Sequence, residues 1–161
     1  MDRSSVTYLS YKKSQGIDAY IKQVHEANRL EMVELERRGV PVAFIKDLSK
    51  RMDIPTSRMF AILGVPPSTR SRKSARETVV NGRAGLAAIA MIQLLTLAQE
   101  IVQDSTSPQA IGFDAVQWFG RWIDRPQPAL EGLRPADYLD TRTGFEIMSQ
   151  LMGSMRSGAY Q

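Results

Sequence analysis

Residues Leu86–Val102 are apolar on nearly every side of a helical wheel, and that one segment restricts the fold more than any other. A helix apolar all round has to be surrounded, either by protein or by lipid. The unbroken apolar run is Ala84–Ile92, and it reaches Ala98 only by tolerating Gln93 and Thr96. That is short of the roughly 18–20 residues a membrane span requires. The opening stretch MDRSSVTYLSYKKSQG also lacks the apolar run of a signal peptide. The segment is therefore expected at the centre of a soluble, cytoplasmic protein, wrapped by other helices.

The rest of the chain supplies those helices. Apolar residues recur at three- and four-residue steps, and no alternating run is long enough to read as a strand, so the expected class is all-α. The first sixteen residues are polar and read as flexible. Ile17–Arg38 reads as one helix, with Ile17, Ile21, Val24, Met32 and Leu35 along it and Gly39 as its left-handed stop. Pro41 suits the start of the next helix, which carries Phe44, Ile45, Leu48 and Met52 on one side. Pro55 opens a short helix bearing Met59, Ile62 and Leu63 and stopping at Gly64. Pro66 and Pro67 open another toward Glu77. Asn81, Gly82 and Gly85 break the pattern, which divides the chain into residues 17–82 and 83–161, although a long helix could bridge the two. Phe113–Trp122 then reads as a helix, DRPQPALEGLRP as a loop, and Thr141 as the N-cap of a last helix with Phe145, Met148, Leu151, Met152 and Met155 on its buried face.

Charge is unevenly spread. Lys50–Glu77 carries seven Lys or Arg against two acidic residues, whereas Asp104–Asp140 carries three Arg against six acidic residues. The first segment suits a phosphate backbone and the second does not. Two helices joined by a tight turn, with polar and basic residues outward on the second, make a helix-turn-helix. The segment MFAILGVPPSTRSRKSAR fits: Ile62 and Leu63 pack, Gly64 turns and Val65 is buried in the turn. That leaves Ser68, Thr69, Arg70, Arg72, Lys73 and Arg76 to face DNA. An earlier register, LSKRMDIPTSRMFAIL, puts Ile54 at the turn and Ser57 and Arg58 outward. The later register carries the denser basic cluster and is preferred. With the Ile17–Arg38 helix it is expected to form a two-fold dimer, recognition helices about 34 Å apart, one DNA turn.

Catalytic chemistry has little to stand on. There is no Cys, and His25 is the lone His, so neither a thiolate site nor a histidine-rich metal site is expected. The pairing Gly82-Arg-Ala-Gly85 has no strand before it, and no Ser/His/Asp arrangement is present. The chain is read as a non-enzyme without cofactors.

In the second half, QWFGRWIDRPQPALEGLRPADYLDTRTGFEIMSQLMGSMRSGAY resembles the toxin-binding domain of the Xre/MbcA/ParS antitoxin family. The matching positions are Trp118, Leu130-Glu-Gly132, Pro135, Thr141, Gly144, Leu151 and Gly158-Ala-Tyr160. PPSTRSRKSAR is similar to the family's DNA-reading helix, so the likeness runs from about Val40 to Gln161. Two positions depart from family usage: Glu131, where a small or apolar residue is commoner, and Arg70, where an apolar one is usual. The resemblance implies an antitoxin that represses its own operon at operator DNA. It implies as partner a RES-domain toxin that consumes NAD, blocked by the antitoxin's C-terminus in its cleft. Arg156, Ser157, Gly158, Ala159, Tyr160 and Gln161 would form that plug, flanked by a surface around Trp122 and Arg125. Locally, Tyr160 suits a base- or ribose-sized pocket, and a terminal carboxylate suits an arginine. The other reading is a free-standing helix-turn-helix regulator with no toxin.

Overall fold

In the computed structural model, residues 9–70 and 78–156 are described. They form the all-α architecture expected, eight helices with one minimal β-ladder. The helices are α1 (Gly16–Glu26), α2 (Arg29–Arg38), α3 (Val42–Arg51), α4 (Thr56–Leu63), α5 (Pro67–Arg70), α6 (Gly82–Asp104), α7 (Ala115–Ile123) and α8 (Arg142–Arg156).

The apolar segment forms the middle of α6. It buries Ala84, Ala87, Ala88, Ile89, Ala90, Met91, Ile92, Leu94, Leu95 and Ala98. The whole helix is 23 residues, long and apolar enough to cross a membrane by length and composition alone, yet those side chains are buried against other helices. It packs against α1, α2 and α4 from the first half and against α7 and α8 from the second. α6 thus packs on helices from both halves, and one continuous core of buried residues runs through them.

Three details differ from the sequence expectation. The helix read over Ile17–Arg38 is two. Ala27 and Asn28 adopt extended backbone, and Asn28 restarts the chain with a capping box: its side chain accepts from Glu31 N at 2.9 Å, and its own N–H donates to Glu31 Oε2 at 2.9 Å. The break lets α1 bury Tyr20, Ile21 and Val24 while α2 turns to bury Leu35.

Within residues 9–15, read as part of a flexible lead, Leu9 and Tyr11 pack against the core while the others are exposed. Tyr11 meets Tyr20 and Phe44 edge-on, with centroids 5.8 and 5.4 Å away, and its hydroxyl donates to Asp47. The aromatic ring gives an otherwise polar stretch enough burial to hold it down.

A short antiparallel pair also forms, β1 (Val40–Pro41) with β2 (Val79–Val80). It ties the chain ahead of α6 to the start of α3. Three backbones crowd together there: a Cβ on Gly39 would lie 2.5 Å from the Val80 carbonyl oxygen, and one on Gly85 2.7 Å from it. Gly85, which reads as an interruption in sequence, is what admits the ladder against α6.

Candidate DNA- and toxin-binding surfaces

At the later helix-turn-helix register, the first helix, the turn and residues 67–70 are described. α4 buries Met59, Phe60 and Leu63, and Gly64 takes the left-handed conformation at φ 74°. Val65 is buried in the turn, its N–H donating to the Phe60 carbonyl at 2.9 Å. Pro67 then opens α5, with Ser68 exposed and Thr69 half-exposed. Arg70 departs from expectation. Instead of reaching outward, it folds back: Nε donates to the Val65 carbonyl at 2.8 Å, and the guanidinium sits 5.8 Å from the Phe60 ring centroid. A carbonyl at the turn and an aromatic face beside it hold the cation better than open solvent does. Arg70 therefore fastens the turn. Arg72, Lys73 and Arg76 lie outside the described residues.

The earlier register has lost its arginine to another role. Arg58 forks onto Asp124, with Nε 2.9 Å from Oδ2 and a second bond from its terminal nitrogen to Oδ1. Arg134 adds a bond to Asp124 Oδ1 at 3.2 Å and also pairs with Asp137 at 3.2 Å. The hydrogen bond from Arg58, then the nearby positive charges of Arg58 and Arg134, hold the Asp124 carboxyl below its usual range against the opposing effect of burial.

A parallel contact joins Arg51, at the end of α3, to Asp114, the N-cap of α7. Its terminal nitrogen bonds both carboxylate oxygens at 3.1 and 3.0 Å. Asp114 also accepts from Gln117 N at 3.1 Å, and its carboxyl is likewise lowered, by Arg51 first. Between these two pairs Gly120 brings α7 onto the α3–α4 turn, where a Cβ would lie 2.6 Å from the Met52 carbonyl oxygen. The uneven charge of the sequence is thus partly internal. Two of the basic segment's arginines are matched to two aspartates of the acidic segment, across the two halves.

In the second half, Thr141 Oγ1 accepts from Gly144 N at 2.9 Å and caps α8, as its sequence suggests. Gly144 has a separate reason to be glycine: a Cβ there would lie 2.1 Å from the Tyr138 carbonyl oxygen. Glu131, the other departure, takes a left-handed conformation at φ 56° ahead of Gly132 at φ 83°. α8 buries Met148 and Met152 fully, with Phe145, Leu151 and Met155 half-buried beside them.

Trp122 does not belong to a surface. It is buried with Val116, Phe119 and Ile123 on the inward face of α7, stacked by Trp118 at 5.8 Å. Its Nε1 finds no hydrogen-bond partner among the described residues. The three- and four-residue spacing of that apolar set turns Trp122 into the core. Arg125 is exposed, and Arg156 lies 3.6 Å from Asp104 of α6. Ser157, Gly158, Ala159, Tyr160 and Gln161 lie outside the described residues. Among the described residues no group of His, Cys, Asp or Glu could hold a metal ion.

The described geometry is that of a helix-turn-helix fold joined by the pairs Arg51–Asp114 and Arg58–Asp124 to a second helical half. Residues 31–89 match the family model of the antitoxin Xre-like helix-turn-helix domain, and residues 109–158 match that of the antitoxin Xre/MbcA/ParS C-terminal toxin-binding domain. The chain belongs to the Xre/MbcA/ParS antitoxin family and is the antitoxin of a toxin–antitoxin system. A relative from Sphingobium sp. (strain YBL2), the "Prs ADP-ribosylating antitoxin", is 25% identical over 139 residues, 86% of each chain.

Proposed function

We propose that this antitoxin neutralises a RES-domain, NAD-consuming toxin by placing the residues beyond Arg156 in the toxin's cleft, and that it represses its own operon as a dimer in the cytoplasm. It acts by occupying the toxin and the operator, with no reaction of its own.

The observation that carries the toxin reading is the match of residues 109–158 to a toxin-binding domain whose last helix, α8, is firmly seated through Met148 and Met152 up to the start of the tail. A rigid helix delivers a short tail at low entropic cost. The relative's name links an antitoxin to ADP-ribosylation, and NAD is the usual donor of ADP-ribose, which agrees with an NAD-consuming partner. For DNA, Arg58 is committed to Asp124, which favours reading by residues 67–76. For the dimer, α2 turns Leu30, 76% exposed, and Val33 away from the core. This is an apolar face suited to a second copy.

The test is NAD consumption by the purified toxin, titrated with antitoxin. Tyr160→Ala should weaken inhibition by about 1–3 kcal/mol, the range for a buried aromatic anchor. Inhibition as strong as that of the unaltered chain would show that the tail is not the blocking element.

A further inference from the structure

Beside the last turn of α8 lies a cavity of about 180 Å³, lined by Ala98 and Ile101 of α6, Phe113 and Trp118 at α7, and Met152 and Met155 of α8. We infer that this cavity receives an apolar side chain of the toxin, from the rim of the cleft that the tail enters, and so forms a second anchor of the complex. The inference rests on the proposed insertion of the tail.

Size and chemistry choose the occupant. An apolar cavity of about 150 Å³ accepts a benzene ring, so this one has room for an aromatic or branched aliphatic side chain. Its lining offers carbon and methionine sulfur, where a polar group would lose its water without replacement. The two methionines make the walls adaptable.

Location chooses the partner. Phe113, Trp118, Met152 and Met155 all fall within the residues matched to the toxin-binding domain, 109–158. Phe113 is 43% exposed, and Ile111, two residues earlier on the same loop, is 85% exposed. They extend the cavity into an apolar patch of the kind that marks a protein contact. Met155 immediately precedes Arg156, the last described residue, so a protein that accepts the tail is brought over this cavity.

The experiment uses the full-length chain and a purified RES-domain toxin that the unaltered chain inhibits, with affinity measured by calorimetry. Ala98→Leu fills the cavity, and Phe113→Asp charges its rim. Each is made with Tyr160 intact and with Tyr160→Ala. The expected result is a loss of toxin affinity of at least tenfold for each variant, multiplying with the loss from Tyr160→Ala, while promoter binding is unchanged. Sites that act independently combine in this way. Should Ala98→Leu fail to fold, Phe113→Asp alone carries the test, since that side chain is at the surface. Unchanged affinity in the folded variants overturns the inference. So does an effect that vanishes once Tyr160 is Ala, because the cavity would then house the chain's own tail. Failure of the tail reading looks different: Tyr160→Ala would leave inhibition intact while the cavity variants still weakened binding.

Discussion

Replacing Asp124 with Asn tests whether the two halves are held together by charge. Asp124 accepts the fork of Arg58 and a bond from Arg134, and the side chains of Asp124 and Arg58 are 31% and 35% exposed. A fully exposed pair contributes at most about 1 kcal/mol, and breaking a fully buried one costs about 3–5 kcal/mol. Asn keeps one acceptor oxygen, and a third of each side chain is screened by water. Asp124→Asn should therefore cost about 1–2 kcal/mol. In a chain of this length that lowers the melting temperature by about 3–6 °C.

The pH dependence has a defined sign. The folded-state carboxyl is lowered, by Arg58 first, so its contribution is present above the unfolded value of about 3.9 and is lost as pH falls through the depressed folded value. The melting gap between the two proteins should be full at neutral pH and close in strong acid. Calorimetry across that range reads it, and a double-mutant cycle with Arg58→Met isolates the pair. Arg58→Met should also leave the salt dependence of promoter binding unchanged. A gap that does not vary with pH, or a salt slope that falls with Arg58, would refute the assignment of this arginine to Asp124.

Three further outcomes are expected. Gly144→Ala should destabilise the protein by about 2–3 kcal/mol, because its Cβ would meet the Tyr138 carbonyl oxygen at 2.1 Å; an unchanged thermal midpoint would show that this approach relaxes freely. Asn28→Ala should cost about 1 kcal/mol in chemical denaturation by removing the cap of α2, and no loss would mean that packing alone sets the α1–α2 break. Changing Arg72, Lys73 and Arg76 together to Ala should lower the salt slope of promoter binding by roughly 2–3 while toxin inhibition persists; an unaltered slope would move DNA reading elsewhere.

The sequence is informative wherever one local signal acts alone. Gly64, Val65, Thr141 and the apolar face of α8 occupy the roles their spacing predicts. The capping box at Asn28 was equally local, an Asn followed three residues later by Glu, but continuous periodicity through Ile17–Arg38 masked it. Other features had no local signature. The pairs Arg58–Asp124 and Arg51–Asp114 join residues 66 and 63 positions apart, so only the folded chain reveals that these charges face each other. Arg70 follows the rule for a basic recognition helix until the neighbouring Phe60 ring and Val65 carbonyl are in place. Trp122 is expected on a surface flanking the tail, yet its helical spacing with Phe119 and Ile123 points inward.

The placement of α6 bears on how such proteins are recombined. Ala84 and Ala88, near its start, and Leu94, Leu95 and Ala98, farther along, lie on one rod that the helix-turn-helix half and the C-terminal half both pack against. A chimera cut at Gly82 would graft the reading helices of one relative onto a rod shaped for those of another. The mismatch would fall among close-packed alanines, where even one added methylene is felt. An exchange of the proposed DNA-reading residues is therefore best made between Gly64 and Thr78, ahead of β2, leaving α6 and everything seated on it from a single parent. On the proposed assignment of DNA reading to residues 67–76, breakpoints in that stretch should change promoter preference while toxin inhibition is kept.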